Sequence, residues 1–187
     1  MPVIIFIMQP IVTARLLLRP FVPSDLEDVY REIFSDAEVC HFYCGRTRTR
    51  EQTQEWLHYR IAEWKYSSFG RVAVVLRQTD TLLGFVGLES YVNRFARFKH
   101  DPAPIFNEVE VELSFALGKS YWGQGYAFEA SQALVRYAFD ELKIKRLVGS
   151  AALDNPRSAK LQERLGYKVE LAADDSGYIT ILENDIS

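Results

Sequence analysis

Residues 121–127 read Tyr-Trp-Gly-Gln-Gly-Tyr-Ala, and the residue types here can do chemistry. Gly123 and Gly125 let the backbone bend with few steric limits. An apolar helical repeat follows at once, so the bend feeds a helix start. The first N–H groups of a helix lack internal partners, and its dipole adds partial positive charge there, which suits a phosphate or a pyrophosphate. By itself the pattern also fits half of a dinucleotide-binding crossover, or a plain turn. The spacing is not G-x-G-x-x-G, and no Lys-Ser/Thr pair follows, so neither a dinucleotide fingerprint nor a triphosphate loop is supported. Just upstream, Glu110 and Glu112 share one face of an alternating segment. They could act as a base, attract a cation, or be ordinary polar-face carboxylates. Downstream, Asn155 precedes Pro156 and Ser158, offering an amide and a hydroxyl beside a helix start. Cys40, His41 and Cys44 lie close together, but a structural zinc site takes four ligands and no second cluster completes one. Free thiols and no metal are expected.

These residues need elements to hold them. Val109–Leu117 alternates strictly, with Val111, Leu113, Phe115 and Leu117 on one face and Glu110, Glu112, Ser114 and Ala116 on the other; a bulge would break that phase. Gly123–Ala127 opens a long helix to about Leu142, with Ala127, Ala130, Leu134, Ala138 and Leu142 as its buried stripe. Arg146–Ala151 reads as a strand. Asn155-Pro156 opens a short helix with Leu161 and Leu165 facing inward and Gly166 as its C-terminal cap. Tyr167–Ala173 and Tyr178–Leu182 form a hairpin about Asp174–Gly177. Toward the N-terminus, Arg15–Arg19 reads as a strand. A helix follows with Ser24 and Glu27 as a capping box, and a second begins at Thr49 with Gln52 repeating that spacing. Phe42–Arg48 is a polar, basic loop between them. Val72–Leu76 and Leu82–Tyr91 are paired strands about Gln78–Thr81, and Val92–Asn107, with Pro102 and Pro104, is a long irregular connection. The order is that of one α/β (α+β) domain, a mixed sheet flanked by helices, spanning 1–187 with residues 1–10 as a possible N-terminal extension.

Composition excludes several classes. Of 187 residues, 22 are basic and 25 acidic, a net charge of −3, which argues against a nucleic-acid-coating protein. Two local basic groups, Arg46/Arg48/Arg50 and Arg94/Arg97/Lys99/His100, read as solvated loops or as patches. Two cysteines are too few for a disulfide framework and fit a reducing cytoplasm. The apolar run Val3–Met8 lacks a basic flank and is too short to span a bilayer, so no membrane partner is expected.

The segment YWGQGYAFEA resembles motif A of the GNAT acetyltransferases, Q/R-x-x-G-x-G/A, with Gly125 at the glycine position and Ala127 at the final small one. Trp122 stands where Gln or Arg is usual, a form similar to the RimJ/RimL-like branch that contains ribosomal-protein-alanine N-acetyltransferases. Two further stretches match in order: Thr13–Tyr30 (TARLLLRPFVPSDLEDVY), and Asn155-Pro156-Arg157-Ser158 followed by Glu163–Tyr167. The resemblance spans Thr13–Tyr167. It implies a mostly antiparallel GNAT sheet and acetyl-CoA as co-substrate. The amides of Trp122, Gly123, Gln124, Gly125, Tyr126 and Ala127 would bind the pyrophosphate. Main-chain groups near Leu117 would hold the pantetheine, and Asn155 and Ser158 would touch its arm.

The implied reaction is direct attack of a primary amine on the thioester. Only a neutral amine attacks: an α-amine near pKa ~8 is about a tenth neutral at pH 7, a lysine near ~10.4 well under a thousandth. Glu112, then Glu110, is the expected base. A glutamate near its reference ~4.3 is a weak base, so burial or a water relay is required. Many superfamily members place a tyrosine acid where this chain has Gln162. That leaves Ser158 as donor, or departure of coenzyme A as the thiolate; Tyr167 reads as core. The acceptor is a protein N-terminus or a small-molecule amine, and the protein a monomer or homodimer. The competing reading is a non-catalytic acyl-CoA-binding regulatory module.

Overall fold

The computed structural model describes residues 8–64, 66–91 and 109–184. The first seven residues, the 92–108 connection with its Arg94–His100 cluster, and Glu108 lie outside the described residues. Eight strands are described: β1 (Ile11–Val12), β2 (Leu16–Arg19), β3 (Arg71–Leu76), β4 (Thr81–Tyr91), β5 (Glu110–Leu117), β6 (Arg146–Ala151), β7 (Lys168–Leu171) and β8 (Tyr178–Glu183). They form one mixed sheet in the order β1-β2-β3-β4-β5-β6-β8-β7. β5 pairs with β6 in parallel; the other described registers are antiparallel. Five helices accompany them: α1 (Leu26–Val29), α2 (Ala37–Tyr43), α3 (Arg50–Glu63), α4 (Tyr126–Arg136) and α5 (Pro156–Arg164). The chain divides into two compact units, residues 1–87 with 115–133, and residues 88–114 with 134–187.

The first unit is built on aromatic packing. Trp56 of α3 lies 5.0 Å from Phe34, 5.4 Å from Phe21 and 5.6 Å from Phe85, ring centre to ring centre. Such pairs contribute about 0.5–1.5 kcal/mol each beyond the area they bury. The capping box at α3 forms as the sequence predicts: Gln52 N–H donates to Thr49 Oγ1, and Thr49 N–H to Gln52 Oε1. The first helix starts differently. Ser24 caps nothing; Asp25, buried and ion-paired with Arg19, accepts the Val22 N–H and closes a 3₁₀ turn over Pro23–Asp25. α2 was not expected, because seven residues leave little periodicity. Its signal was Asp36, whose carboxylate caps the Glu38 and Val39 N–H groups. Of the basic loop that follows, Arg48 stacks on the Phe34 ring, and Arg50, which opens α3, pairs with Glu27. Cys40 is fully buried, its thiol donating to Ile33 O. Between β3 and β4 the register slips beside Val74, leaving Leu83 as an extra residue opposite it.

In the second unit, Val148, Ala172, Ile179 and Ile181 form one core cluster, with Tyr91 packed on it. The alternation expected of β5 does not map onto burial. Glu110 and Ala116, on the polar face, are buried, while Val111 and Phe115 are only half-buried. α4, divided between the units after Ala133, buries Ala130 and Leu134, with Ala127 half-buried, and runs into a π turn over Tyr137–Glu141 that buries Ala138 and is followed by half-buried Leu142. The inward face of α5 is Ser158, Ala159 and Gln162 rather than Leu161 and Leu165, which are half-buried. Gly166 caps α5 at φ +97°.

Candidate active site

The glycine-bearing bend is fixed at its entry. Leu83, the slipped residue of β4, offers its carbonyl to the Gly118 N–H at 2.8 Å. A 3₁₀ turn over Lys119–Tyr121 then returns the chain, with Trp122 N–H bonded to Lys119 O. The Trp122 indole donates to Leu117 O at 2.7 Å, bracing the loop against the end of β5. The Leu117 carbonyl and both Trp122 N–H groups therefore have partners within the protein.

The next five residues differ. The N–H groups of Gly123, Gln124, Gly125, Tyr126 and Ala127 have no acceptor among the described residues. Gly123 and Gly125 adopt φ +74° and +81°, a region L side chains seldom occupy. Gly125 opens α4, its carbonyl accepting the Glu129 N–H. As an N-cap glycine it has no side chain to fold back on the first amides, unlike Asp36, Thr49 and Asn155 at α2, α3 and α5. Five open donors at a helix start fit a diphosphate.

Sequence reasoning missed the surroundings of this bend. Glu129, in the first turn of α4, accepts from Thr13 Oγ1 at 2.6 Å and from Arg15 N–H at 2.8 Å, and is salt-bridged to Arg15 Nε at 2.6 Å. Burial works against its charge, but these bonds prevail and hold its pKa below the ordinary glutamate value.

In the second unit the two carboxylates of β5 separate in role. Glu110 is 6% exposed and ion-paired in a fork with Arg146, whose Nε donates at 2.9 Å. Glu112 is half-buried and receives the Ser150 hydroxyl at 3.3 Å. Tyr167 is 4% exposed, as a core residue would be, yet its hydroxyl has no partner among the described residues. Burial, with a further push from the Glu112 charge, raises its pKa and keeps it protonated.

Asn155 Oδ1 accepts the Ser158 N–H at 3.2 Å, so the side chain caps α5. Its amide donors have no acceptor among the described residues. Gln162, 1% exposed, organises the rest. Its Nε2 donates to Ser150 O at 3.4 Å and Ser158 Oγ at 3.2 Å, and its Oε1 accepts from the Thr180 hydroxyl. A backbone carbonyl can only accept, so the amide orientation is determined: nitrogen toward Ser150, oxygen toward Thr180. Ser158 is thereby an acceptor from Gln162, and its own proton has no acceptor among the described residues. Gly149 makes room for this network, since a Cβ there would sit 2.4 Å from Gln162 Oε1 and 2.7 Å from Thr180 Oγ1. Through Ser150 and Gln162, the structure joins Glu112 and Ser158 in one hydrogen-bonded chain. A glycine inside a strand was the sequence's sign of it.

A family model described as "Acetyltransferase (GNAT) domain" matches residues 15–168. The "Uncharacterized N-acetyltransferase YnaD" of Bacillus subtilis (strain 168) is 27% identical over 160 residues, 86% of this chain and 83% of that protein. Among solved structures, a GNAT-family acetyltransferase from Bacillus anthracis aligns with a TM-score of 0.75 at 22% identity, over 95% of this chain and 99% of that one. The solved complex "RimL- Ribosomal L7/L12 alpha-N-protein acetyltransferase in complex with Coenzyme A" aligns at 0.72 and 15% identity, over 96% and 100%. These likenesses give the fold, and the match over residues 15–168 identifies the chain as a member of the GNAT acetyltransferases, acetyl-CoA-dependent acyltransferases.

Proposed function

We propose that this chain moves an acetyl group from acetyl-CoA to a primary amine, with a protein N-terminus the first acceptor and a small-molecule amine the other. The run of five amides from Gly123 to Ala127 that have no acceptor among the described residues carries this reading. Those amides would hold the pyrophosphate, and the Asn155 amide donors the pantetheine arm. When bound, acetyl-CoA supplies an activated thioester acetyl group.

Glu112 accepts the proton released as the C–N bond forms, directly or through a water. Glu110 is committed to Arg146 and is the weaker candidate. The C–S bond breaks and coenzyme A leaves as the thiolate, to which the Ser158 hydroxyl, held as an acceptor by Gln162, donates a hydrogen bond; the proton taken by Glu112 then passes to solvent or to the thiolate. A positioned acid or base contributes roughly 10²–10⁴-fold. An N-terminal amine asks least of the base, being partly neutral at pH 7. The likeness to RimL, an α-N-protein acetyltransferase, supports that acceptor class.

Gly125→Glu should abolish coenzyme A binding by calorimetry, by filling the bend and placing a like charge against phosphate. Unchanged affinity would refute the loop assignment. Thiol release measured across peptide N-termini, polyamines and aminoglycosides then identifies the acceptor. A non-catalytic acyl-CoA-binding module is the second reading, favoured by Gln162 standing where many superfamily members carry a tyrosine. Tight coenzyme A binding with no thiol release on any amine would select it.

A further inference from the structure

We infer that Arg15 is the positioning residue of the Gly123–Ala127 bend, and that it makes the chain select diphosphate-bearing thioesters over short ones; this rests on the loop reading proposed above. Arg15 is 109–114 residues distant in sequence from the groups it holds. Its Nε bonds Glu129 Oε2, and its Nη1 donates to Gln124 O at 3.0 Å. The guanidinium lies 4.4 Å above the centre of the Tyr126 ring. Its Nη2 stands 3.4 Å from where a Cβ on Gly125 would be, and has no acceptor among the described residues.

Two physical consequences follow. A trans peptide is planar, so holding the Gln124 oxygen also sets the direction of the Gly125 N–H across the same bond. Gln124, whose oxygen is held, lies between Gly123 and Gly125, whose backbones would otherwise choose among many orientations. The second consequence is electrostatic. Glu129 places a negative charge in the first turn of α4, where it favours the helix but opposes an arriving anion. Arg15 and Thr13 saturate that carboxylate, and the guanidinium keeps one edge open beside the bend. A lysine could supply the charge but not the fork that spans Glu129 and Gln124 together.

The test compares kcat/KM for acetyl-CoA, 3′-dephospho-acetyl-CoA and acetyl-pantetheine, in the wild type and in Arg15→Gln and Arg15→Lys. The expected result is about a tenfold loss of the preference for both diphosphate donors over acetyl-pantetheine in Arg15→Gln, the scale of one charge-assisted bond. Most of that loss should persist in Arg15→Lys, and it should appear in KM for the donor rather than in kcat. Equal losses on all three donors would reduce Arg15 to a purely structural role and overturn the inference. So would full recovery by lysine, or a loss confined to the 3′-phosphorylated donor. A wild type indifferent to the diphosphate would instead sink the loop reading itself. Wild-type preference retained in Arg15→Gln sinks only the role of Arg15. Melting temperatures of both variants identify a folding failure, and the lysine variant, which keeps the charge, then carries the test.

Discussion

At Glu112 the proposed chemistry reduces to one proton. Glu112→Gln keeps the volume and removes the acceptor, so turnover should fall at least tenfold with coenzyme A affinity unchanged; wild-type turnover would remove Glu112 from the role. Gln162→Leu keeps the bulk but releases the Ser158 rotor and removes the acceptor of the Thr180 hydroxyl. We expect a loss in kcat larger than any in donor KM, read by steady-state kinetics with melting curves as control. Glu129 yields a pH prediction. Its folded pKa is depressed, so its stabilising contribution is complete above the ordinary glutamate value and is lost as pH falls through the depressed one. Glu129→Gln should flatten the acid limb of melting temperature against pH, and an unchanged limb would show the pair to be silent. The bend itself was readable in the sequence, because two glycines ahead of an apolar helical repeat mark a turn into a helix; a ligand for it came only with the family resemblance. Arg15 was not: nothing local ties it to Glu129, since the pairing is made by folding. The same holds for Glu110, which alternation placed on one face with Glu112 as the second candidate and which Arg146 engages.

Elements were legible where a local rule decides them. Thr49–Gln52 at α3, Asn155-Pro156 at α5 and the turn before Thr81 each depend on residues within one turn of each other, and each formed where spacing put it. α2 and the two-residue β1 were not, since seven and two residues carry too little pattern. The inward face of α5 was misjudged because apolar side chains were favoured for it. Gln162 and Ser158 lie inside because Ser150 O and Thr180 satisfy them, which no periodicity records. This gives a test at the scale of elements. Gly149→Ala on β6 would drive a methyl into both Gln162 and Thr180. Destabilisation of about 1–3 kcal/mol in urea is expected, and a neutral substitution would mean that α5 shifts without penalty.

For the whole molecule, the mixed sheet was foreseeable from element order, while its strand sequence, with β8 between β6 and β7, was not. Tertiary pairing of this kind is set by long-range packing. The Glu110–Arg146 pair is a strong test of global stability. Removing the carboxylate by Glu110→Ala takes the fork from a guanidinium that keeps Glu183 at 4.0 Å, and a loss of about 1.5–3 kcal/mol is expected from denaturant unfolding. A change under about 1 kcal/mol would show that Glu183 and solvent compensate Arg146.

The seclusion of Cys40 bears on how this protein behaves toward electrophiles. Its thiol is sealed from water and pushed up to about 12, chiefly by burial, so the native chain presents it to disulfide reagents only on unfolding. Cys44, half-exposed, is left to react alone. A native sample should therefore titrate as one equivalent per chain and a denatured one as two, a built-in colorimetric gauge of the folded fraction.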